Sequence, residues 1–178
     1  NANFLAQMNK LTYIGEEAYE VDNAEDEITY IDFYAYKDNK LNAKDLHASA
    51  VFTGTAIASA QFPASLRTIG SCAFGNANSL VTVTWAKDAN LAAGQVYTIG
   101  TDAFWGCSEL RDFVSPDTGS VKAKFLIKSR AFVNCSSLVY FSSKAVSVDD
   151  TTEAMTNNVL PASLTELGFA AFGACGSL

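Results

Sequence analysis

The sequence predicts a β-rich repeat solenoid, a stack of similar coils that alternate short strands with short helical turns. The first observation behind this prediction is a unit that reads Ile-Gly-x-x-Ala-Phe and is followed six residues later by Leu. The second is a short run of β-branched and aromatic residues at fixed spacing after that Leu. One coil cannot bury its own apolar side chains, but stacked coils bury one another's.

The repeated unit is clearest in the second half of the chain, and we name its positions the Ile, Gly, Ala, Phe and Leu slots. Two weaker copies upstream have Ile14 and Leu46 in the Ile slot, and the second of these has Val51 in the Phe slot. With them the chain holds six copies. The four clear copies have the Ile-slot residues Ile69, Ile99, Ile127 and Leu167.

The residue preference at each slot has a physical explanation that the structure can test. The Ile, Ala, Phe and Leu slots should point inward and form ladders from coil to coil. Ala in front of Phe favours a tight helical turn in which only a methyl group fits beside the next coil. Gly follows the Ile slot in four of six copies, which predicts either a positive φ or a close backbone approach there. His47 and Lys128 depart from that rule.

The run after the Leu slot predicts one strand per coil. Leu80, Val83 and Trp85 are spaced three and then two residues apart. Such short β-branched and aromatic runs are typical of strands. The equivalent residues are Ile28, Ile31 and Phe33; Ile57, Ala60 and Phe62; Leu110 and Phe113; and Leu138 and Phe141. Pro63 and Pro161 precede two Ile slots and should end strand pairing and turn the chain.

Extra residues collect in one phase of the repeat. The shortest step between Ile slots is the 23 residues from Leu46 to Ile69, with eleven residues to the Leu slot and twelve back. Almost all of the excess in the five steps lies between the strand and the next Ile slot, where it is six, zero, seven, five and seventeen residues. Insertions confined to one phase lie at one edge of a solenoid, where such proteins often bind ligands.

Composition narrows the function classes. The formal net charge is −7, which argues against nucleic-acid binding because phosphates require a basic surface. No apolar run is long enough to cross a bilayer, and no signal peptide is visible. Hydrophobic residues make up 49% and charged residues 17%, as expected if each coil is buried against its neighbours.

We expect a single domain over residues 1–178, with about six coils and a candidate cap at residues 1–10. The chain stops at Leu178, in the Leu slot, with no strand after it. An open end would expose the inward ladders. We therefore expect either a fragment of a longer protein or a last coil that is covered by a partner.

The residues that could act in catalysis or bind a metal are explained more simply by their positions in the repeat. Cys107, Cys135 and Cys175 share one slot, three residues before the Leu slot, which favours a ladder of reduced core thiols over disulfides. No Cys-x-x-Cys pair exists for zinc. His47 is the one histidine, and its turn position accounts for it. The acidic run at residues 22–27 lacks the spacing of a calcium loop. We expect no catalytic, metal or cofactor site, and no cofactor.

Five residues are candidate ligand contacts. Tyr34 and Tyr36 start one insertion, Asp149 and Asp150 lie in the longest, and Trp105 follows a Phe slot at a peripheral position. Exposed aromatic residues beside polar loops suit protein or sugar contact. The alternative, at least as strong, is that the aromatic residues cover the flank or cap of the solenoid and the acidic ones are solvated.

The repeat resembles the BspA-like class of leucine-rich repeats. The resemblance rests on Leu160-Pro161-Ala162-Ser163-Leu164, Leu167-Gly168, Ala171-Phe172-Gly173, Cys175 and Leu178, and on the 23-residue period. It is strong over residues 62–178 and degenerate over 11–62. The resemblance implies a right-handed leucine-rich-repeat solenoid and a secreted or cell-surface protein associated with adhesion, and it brings no catalytic residues.

Three functions remain open at this stage. The first is a binding or adhesion module for a protein or glycan ligand. The second is a structural spacer or assembly element that presents another domain. The third and weakest is an enzyme such as a hydrolase, which would require His47 beside a carboxylate or a thiol. The sequence does not define an oligomeric state.

Overall fold

The computed structural model describes residues 13–14 (as backbone), 52, 54–86, 91–116, 123–142 and 160–178. Within these ranges the chain forms short strands and turns, and no helix. The strands are β1 (Tyr13–Ile14), β2 (Ser59–Phe62), β3 (Thr68–Ile69), β4 (Thr82–Trp85), β5 (Val96–Ile99), β6 (Asp112–Val114), β7 (Lys124–Ile127), β8 (Tyr140–Ser142) and β9 (Leu164–Leu167).

Equivalent strands of successive repeats pair in parallel to form two sheets. Sheet A has the order β1-β3-β5-β7-β9, and sheet B has the order β2-β4-β6-β8. The register keeps equivalent slots side by side: Phe62 pairs with Trp85 in sheet B, and Ile99 pairs with Ile127 in sheet A. The described strands therefore alternate between the two sheets from β1 to β9.

Sheet B contains the strands that the sequence predicts. β2, β4, β6 and β8 each carry the residue three positions after the Leu slot, β2 and β4 also carry the residue five positions after it, and these side chains are buried. In β4, for example, Val83 is 0% exposed and Trp85 is 8% exposed. The predicted strand at residues 28–33 lies outside the described residues. Pro63 follows directly after β2, as expected for a residue that ends strand pairing.

Sheet A is a second set of strands that we did not predict. Each of its strands ends at an Ile slot, and in β5 and β7 the residue two positions earlier also points inward. Tyr97 with Ile99, and Phe125 with Ile127, are buried at 1% exposure or less. This two-residue alternation before the Ile slot is the signal that identifies these strands.

The turn between the sheets is not helical, contrary to the prediction from the Ala-Phe pair. Two residues of each turn have a positive φ, three and seven positions after the Ile slot, and this conformation interrupts a right-handed helix. The first is Cys72, Asp102, Arg130 or Ala170, and the second is Asn76, Gly106, Asn134 or Ala174. Backbone N–H groups of the turn point to the next repeat: Phe104 N donates to the Ala131 oxygen at 2.8 Å.

The Gly slot is explained by close approach and not by positive φ. The φ values of Gly100 and Gly168 lie outside the left-handed region. A Cβ atom at Gly100 would lie 2.7 Å from the carbonyl carbon of Gly70 and from the nitrogen of Ser71. A side chain there would collide with the backbone of the preceding repeat.

The upstream copies are placed differently from the prediction. The ring of Phe52, not the side chain of Val51, occupies the Phe slot, since it stacks on Phe74 with ring centroids 4.9 Å apart. In sheet A, Ile14 pairs directly with Ile69, so no strand from the Leu46 copy lies between them. Leu46 and His47 themselves lie outside the described residues.

Ladders of identical side chains fill the space between the sheets. The Phe-slot rings stack nearly parallel from Phe74 to Phe104, Phe132 and Phe172, with centroid distances of 5.1, 5.2 and 5.2 Å. In sheet B, Phe113 stacks on Phe141 at 5.0 Å. Stacked aromatic pairs add about 0.5–1.5 kcal/mol each beyond area burial. The predicted inward slots are thus confirmed as the core.

Candidate functional site

The two connections within each repeat differ in how much their length varies. From sheet A to sheet B the chain takes twelve residues in three repeats, at 70–81, 100–111 and 128–139, whereas residues 15–58, most of them outside the described residues, separate β1 from β2. From sheet B back to sheet A it takes 63–67, 86–95, 115–123 or 143–163. Because strands in each sheet are parallel and in register, these variable connections leave from one edge, which we call the connecting edge. From β3 to β9, the connections that vary in length thus all run from sheet B to sheet A.

Buried polar atoms without hydrogen-bond partners lie at the connecting edge. They are Trp85 Nε1 and Ser115 Oγ, at the ends of sheet B strands, and Gln95 Oε1, directly before β5. The fourth such atom in the described residues is Ser71 Oγ, in a turn. An unmet buried polar group costs about 1–3 kcal/mol, so these atoms favour a water molecule or a polar ligand group nearby.

Aromatic side chains surround Trp85 at this edge. Its ring centroid lies 4.8 Å from Phe62, 6.4 Å from Tyr97 and 6.5 Å from Phe113, each in edge-on geometry. The Arg67 guanidinium lies 4.7 Å above the Tyr97 ring and donates to the Ala64 carbonyl oxygen at 2.6 Å. The arrangement places a cation, aromatic rings and polar atoms where the chain leaves and enters the sheets.

Trp105, the one candidate contact within the described residues, is half-buried. It lies in a turn from sheet A to sheet B, between the equivalent residues Gly75 and Val133, and not at the connecting edge. Its carbonyl oxygen accepts a hydrogen bond from Asn76 N at 2.6 Å. Tyr34, Tyr36, Asp149 and Asp150 lie outside the described residues.

The outward rows of the sheets vary where the inward rows do not. In sheet B, the paired residues of the inward row are all apolar: Ala60, Val83, Phe113 and Phe141. One position earlier, the paired residues of the outward row are Ser59, Thr82, Asp112 and Tyr140. In sheet A, the row beside the Ile slots holds Thr68, Thr98, Leu126 and Glu166. The scaffold is therefore regular inside and chemically variable outside.

The cysteines form the predicted ladder and are free thiols. The thiols of Cys107, Cys135 and Cys175 donate to the carbonyl oxygens of the Phe slots one repeat earlier, at 3.0, 3.2 and 3.1 Å. Burial raises the pKa of Cys107 to about 12 and the pKa of Cys135 further still. Thiols held protonated in this way are poor nucleophiles and poor metal ligands.

One ion pair lies largely inside the turns. Arg130 Nε donates to Asp102 Oδ1 at 3.0 Å, and Arg130 Nη2 donates to Oδ2 at 2.5 Å. Burial raises the pKa of the Asp102 carboxyl, and the hydrogen bonds from Arg130 oppose that rise. Burial, together with the charge of Asp102, also raises the pKa of Cys72 to about 12. The three residues occupy the same positive-φ position in successive turns, so the pair joins two repeats.

Two further observations bear on chemistry and membranes. Among the described residues, no three His, Cys, Asp or Glu side chains lie where they could together hold a metal ion. No helix in the described part of the chain is long and apolar enough to cross a bilayer.

Paired parallel strands in fixed register, identical side-chain ladders and a repeated turn define a repeat protein of the leucine-rich type. A family model for the BspA-type leucine-rich repeat region matches the chain in six copies, over residues 3–87 and 44–178. The chain therefore belongs to the BspA-type leucine-rich repeat family. No curated protein and no solved structure matches the chain.

Membership of this family indicates a general function and no specific one. Leucine-rich repeats of this kind are in general scaffolds for protein binding or adhesion, and the family is generally non-enzymatic. BspA-type repeats are typical of surface-associated proteins.

Proposed function

We propose that the repeats form a right-handed solenoid that serves as a non-enzymatic binding or adhesion module of a secreted or cell-surface protein. The ligand is a protein or a glycan, and the ligand contacts lie at the connecting edge. The observation that carries this proposal is the contrast between constant twelve-residue turns and connections that range from 63–67 to 143–163. A scaffold that holds one connection constant while the other varies can change its ligand without changing its core.

The side chains at the connecting edge support the proposal that the ligand binds there. Trp85, Gln95 and Ser115 each bring a buried polar atom without a partner to the same edge. Aromatic rings and the Arg67 guanidinium lie beside Trp85 and Tyr97. Aromatic and arginine side chains are enriched among residues that dominate binding energy, and aromatic faces also suit sugar rings. Asp149 and Asp150 belong to the variable connection 143–163 and are proposed as further contacts. Tyr34 and Tyr36, which the sequence places at the start of an insertion, are proposed as contacts as well, with Trp105 as a separate contact on the turn side.

An enzymatic function has less support. The thiols at Cys107 and Cys135 are fully buried and held protonated, so they are not suited to nucleophilic attack. The ion pair of Asp102 and Arg130 uses both carboxylate oxygens on the guanidinium. Neither group is arranged as a general base beside a nucleophile.

The competing proposal is a spacer or assembly element. Regular ladders and constant turns would serve that role equally well, and variable connections would then be neutral insertions. A spacer does not need a specific ligand, so binding measurements separate the two proposals.

The test is a binding screen of the folded full chain against extracellular-matrix proteins and glycans. For any ligand found, connection 86–95 is replaced by Pro-Ala-Ser-Leu-Arg, the sequence of connection 63–67. We expect that replacement to abolish or strongly weaken binding, while Trp105→Ala, on the turn side, retains the larger part of it. Circular dichroism and urea unfolding confirm that both variants are folded.

Two outcomes would count against the proposal. A folded chain that binds nothing in either panel would favour the spacer. A ligand that is lost with Trp105→Ala but is retained when connection 86–95 is shortened would move the site to the turn side.

A further inference from the structure

One tripeptide of the chain matches the acceptor sequence for asparagine-linked glycans, which is Asn-x-Ser or Asn-x-Thr with any residue except proline in the middle. It is Asn134-Cys135-Ser136. No other asparagine of the sequence is followed by Ser or Thr two residues later. Because such a tripeptide also arises by chance, the local structure decides whether Asn134 is suited to carry a glycan.

Asn134 lies in the turn of residues 128–139, with a described repeat on each side. Its backbone N–H donates to the Gly173 oxygen of the following repeat at 2.8 Å, and Gly106 N of the preceding repeat donates to the oxygen of the adjacent Val133 at 2.9 Å. Both neighbours therefore hold the backbone of the turn, while the Asn134 side chain is exposed. In the described part of the chain, that side-chain amide makes no hydrogen bond.

The equivalent asparagine two repeats earlier shows why this exposure is specific to Asn134. Asn76 has the same place in its turn, also at positive φ, and it is half-buried. Its Oδ1 lies against Gly106 of the following repeat, in the space that a Cβ would occupy there. The residue in that place opposite Asn134 is Ala174, which has a Cβ. The amide of Asn134 is therefore turned to solvent, whereas the amide of Asn76 is held between two repeats.

We propose that Asn134 is the attachment site of an asparagine-linked oligosaccharide. The donor is an oligosaccharide bound through a diphosphate to a membrane lipid, and the acceptor atom is Nδ2 of Asn134. A bond forms between Nδ2 and the first carbon of the first sugar, and the bond from that carbon to the diphosphate oxygen breaks. The lipid diphosphate leaves with the bonding electrons, and one Nδ2 proton passes to a base of the transferase.

The folded turn determines when the transfer takes place. Cys135, in the middle of the tripeptide, is 0% exposed, and its thiol donates to the Phe104 oxygen at 3.2 Å. A transferase cannot bind a tripeptide whose central residue lies in the core. The oligosaccharide is therefore added before this turn folds. The exposed Asn134 side chain then lets the repeats stack with the glycan outside them.

The glycan at Asn134 lies on the turn side of the repeats and leaves the connecting edge free. Its nearest aromatic neighbour in sequence register is the half-buried Trp105, because the hydrogen bond from Gly106 to Val133 joins the residues that follow Trp105 and precede Asn134. Aromatic faces suit sugar rings. The inference rests on the part of the proposed function that takes the chain out of the cell, because these glycans are added to chains that are being exported.

The first test uses the full natural chain, recovered separately from the medium, the cell surface and the cell interior. Peptide-N-glycosidase in heavy-oxygen water releases an asparagine-linked glycan and leaves an aspartate that carries the heavy oxygen. We expect this conversion at Asn134 in the chain from the medium or the surface, with faster migration in gels after treatment. Unmodified Asn134 in that chain would overturn this proposal and leave the proposed location intact. A chain found only inside the cell, unmodified, would refute both.

Substitutions in a eukaryotic cell line that secretes the full chain show which residues the modification needs. Ser136→Ala removes the hydroxyl that the acceptor sequence requires, so we expect loss of the glycan-bearing form, and Ser136→Thr should retain it. The matched control is Ser137→Ala, next to the tripeptide and outside it, which should leave the modified fraction unchanged. A parent chain secreted without a glycan, a glycan retained in Ser136→Ala, or equal losses in Ser136→Ala and Ser137→Ala would each contradict the proposal.

Asn78→Thr tests whether the exposure of the asparagine matters, since it completes an acceptor sequence at Asn76. Asn78 is exposed, and Asn78→Ala, which completes no acceptor sequence, is the control for the substitution itself. A glycan on Asn76 would have to fit between its turn and Gly106. We therefore expect Asn78→Thr to lose most of the folded, secreted chain, whereas Asn78→Ala retains it. Equal yields of a chain modified at Asn76 and of the parent chain would contradict the selection of Asn134 by its exposure.

Discussion

The Gly slot shows how one atom governs the spacing of two repeats. The Cβ that Gly100 lacks would lie 2.7 Å from the backbone of Gly70 and Ser71, and the one that Gly168 lacks would lie 2.3 Å from Ser129 N. Backbone atoms cannot rotate away as a side-chain end can. At Gly100 and Gly168 the two backbones approach this closely because no side chain separates them, whereas Lys128 holds the slot in the repeat between them.

Gly100→Ala should lower the free energy of unfolding by about 1–3 kcal/mol, because the backbones of two repeats must separate to admit the methyl group. The control is Gly176→Ala, where the added Cβ meets nothing within 4 Å and φ is not positive. Urea unfolding measures both. Similar losses in the two variants would show that contact at the Gly slot is not the cause.

The ion pair of Asp102 and Arg130 is a second residue-scale feature with a measurable consequence. The two side chains are 12% and 18% exposed, against 42% and 38% for Glu166 and Lys128, which form an ion pair between the next two repeats. Burial raises the pKa of Asp102 above its unfolded value. The stability contributed by this carboxyl is thus present at acidic pH and declines as the pH rises through the folded pKa.

Arg130→Met should lower the free energy of unfolding by about 2–4 kcal/mol at neutral pH, because it leaves a buried carboxylate without its partner. The loss should shrink at a pH acidic enough to protonate Asp102 in both states. Lys128→Met, at the exposed pair, should cost less than about 1 kcal/mol. Urea unfolding of each variant at neutral and acidic pH is the measurement. An Arg130→Met loss that is the same at both pH values would contradict the assigned cause.

At the scale of elements, the turns from sheet A to sheet B and the connections from sheet B to sheet A have different structural roles. Each turn of twelve residues donates N–H groups to the following repeat and has two positive-φ residues at fixed positions. A change in its length would shift the Phe and Leu slots relative to each other. The connections from sheet B to sheet A differ in length from repeat to repeat, so the stacking does not fix their length.

Insertion of Gly-Ser between Ala92 and Ala93 should therefore cost less than about 1 kcal/mol, since a longer flexible loop adds little closure entropy. The same insertion between Asn78 and Ser79 should cost more than about 2 kcal/mol, because Leu80 would leave its slot. All four flanking residues are exposed, so a difference in stability between the two variants comes from the difference between the connection and the turn. Thermal unfolding ranks the two variants, and equal melting temperatures would contradict the assignment.

Sequence reasoning identified the slots that depend on side-chain size and polarity. The Phe, Ala and Leu ladders, the strands of sheet B and the position of the insertions follow from which residues recur at which spacing. It missed what depends on backbone geometry. The positive φ values fall on residues as different as Cys72, Asp102 and Arg130, so composition gives no sign of them. The two-residue strand β3 is likewise too short to show an alternation of its own.

The candidate site was predicted as a region and not as residues. Insertion lengths located the connecting edge, but the unpaired atoms of Trp85, Gln95 and Ser115 depend on which neighbours surround each side chain. The assignment of residues to slots in the upstream copies was wrong for a related reason. The spacing put Val51 in the Phe slot, whereas the stacked ring of Phe52 is the better partner for Phe74. A degenerate repeat allows a one-residue slip that only packing resolves.

At the scale of the whole molecule, the hydrogen bonds between repeats share one direction. Sheet A, sheet B and the N–H rows of the turns all link each repeat to the next. A force that pulled the repeats apart along that direction would load these interfaces in series, so that they would separate one at a time. Each detached bare unit of 23 residues would release roughly 80 Å of extended chain. Under tension, as on a surface exposed to flow, the array would lengthen in steps while its remaining interfaces stayed intact.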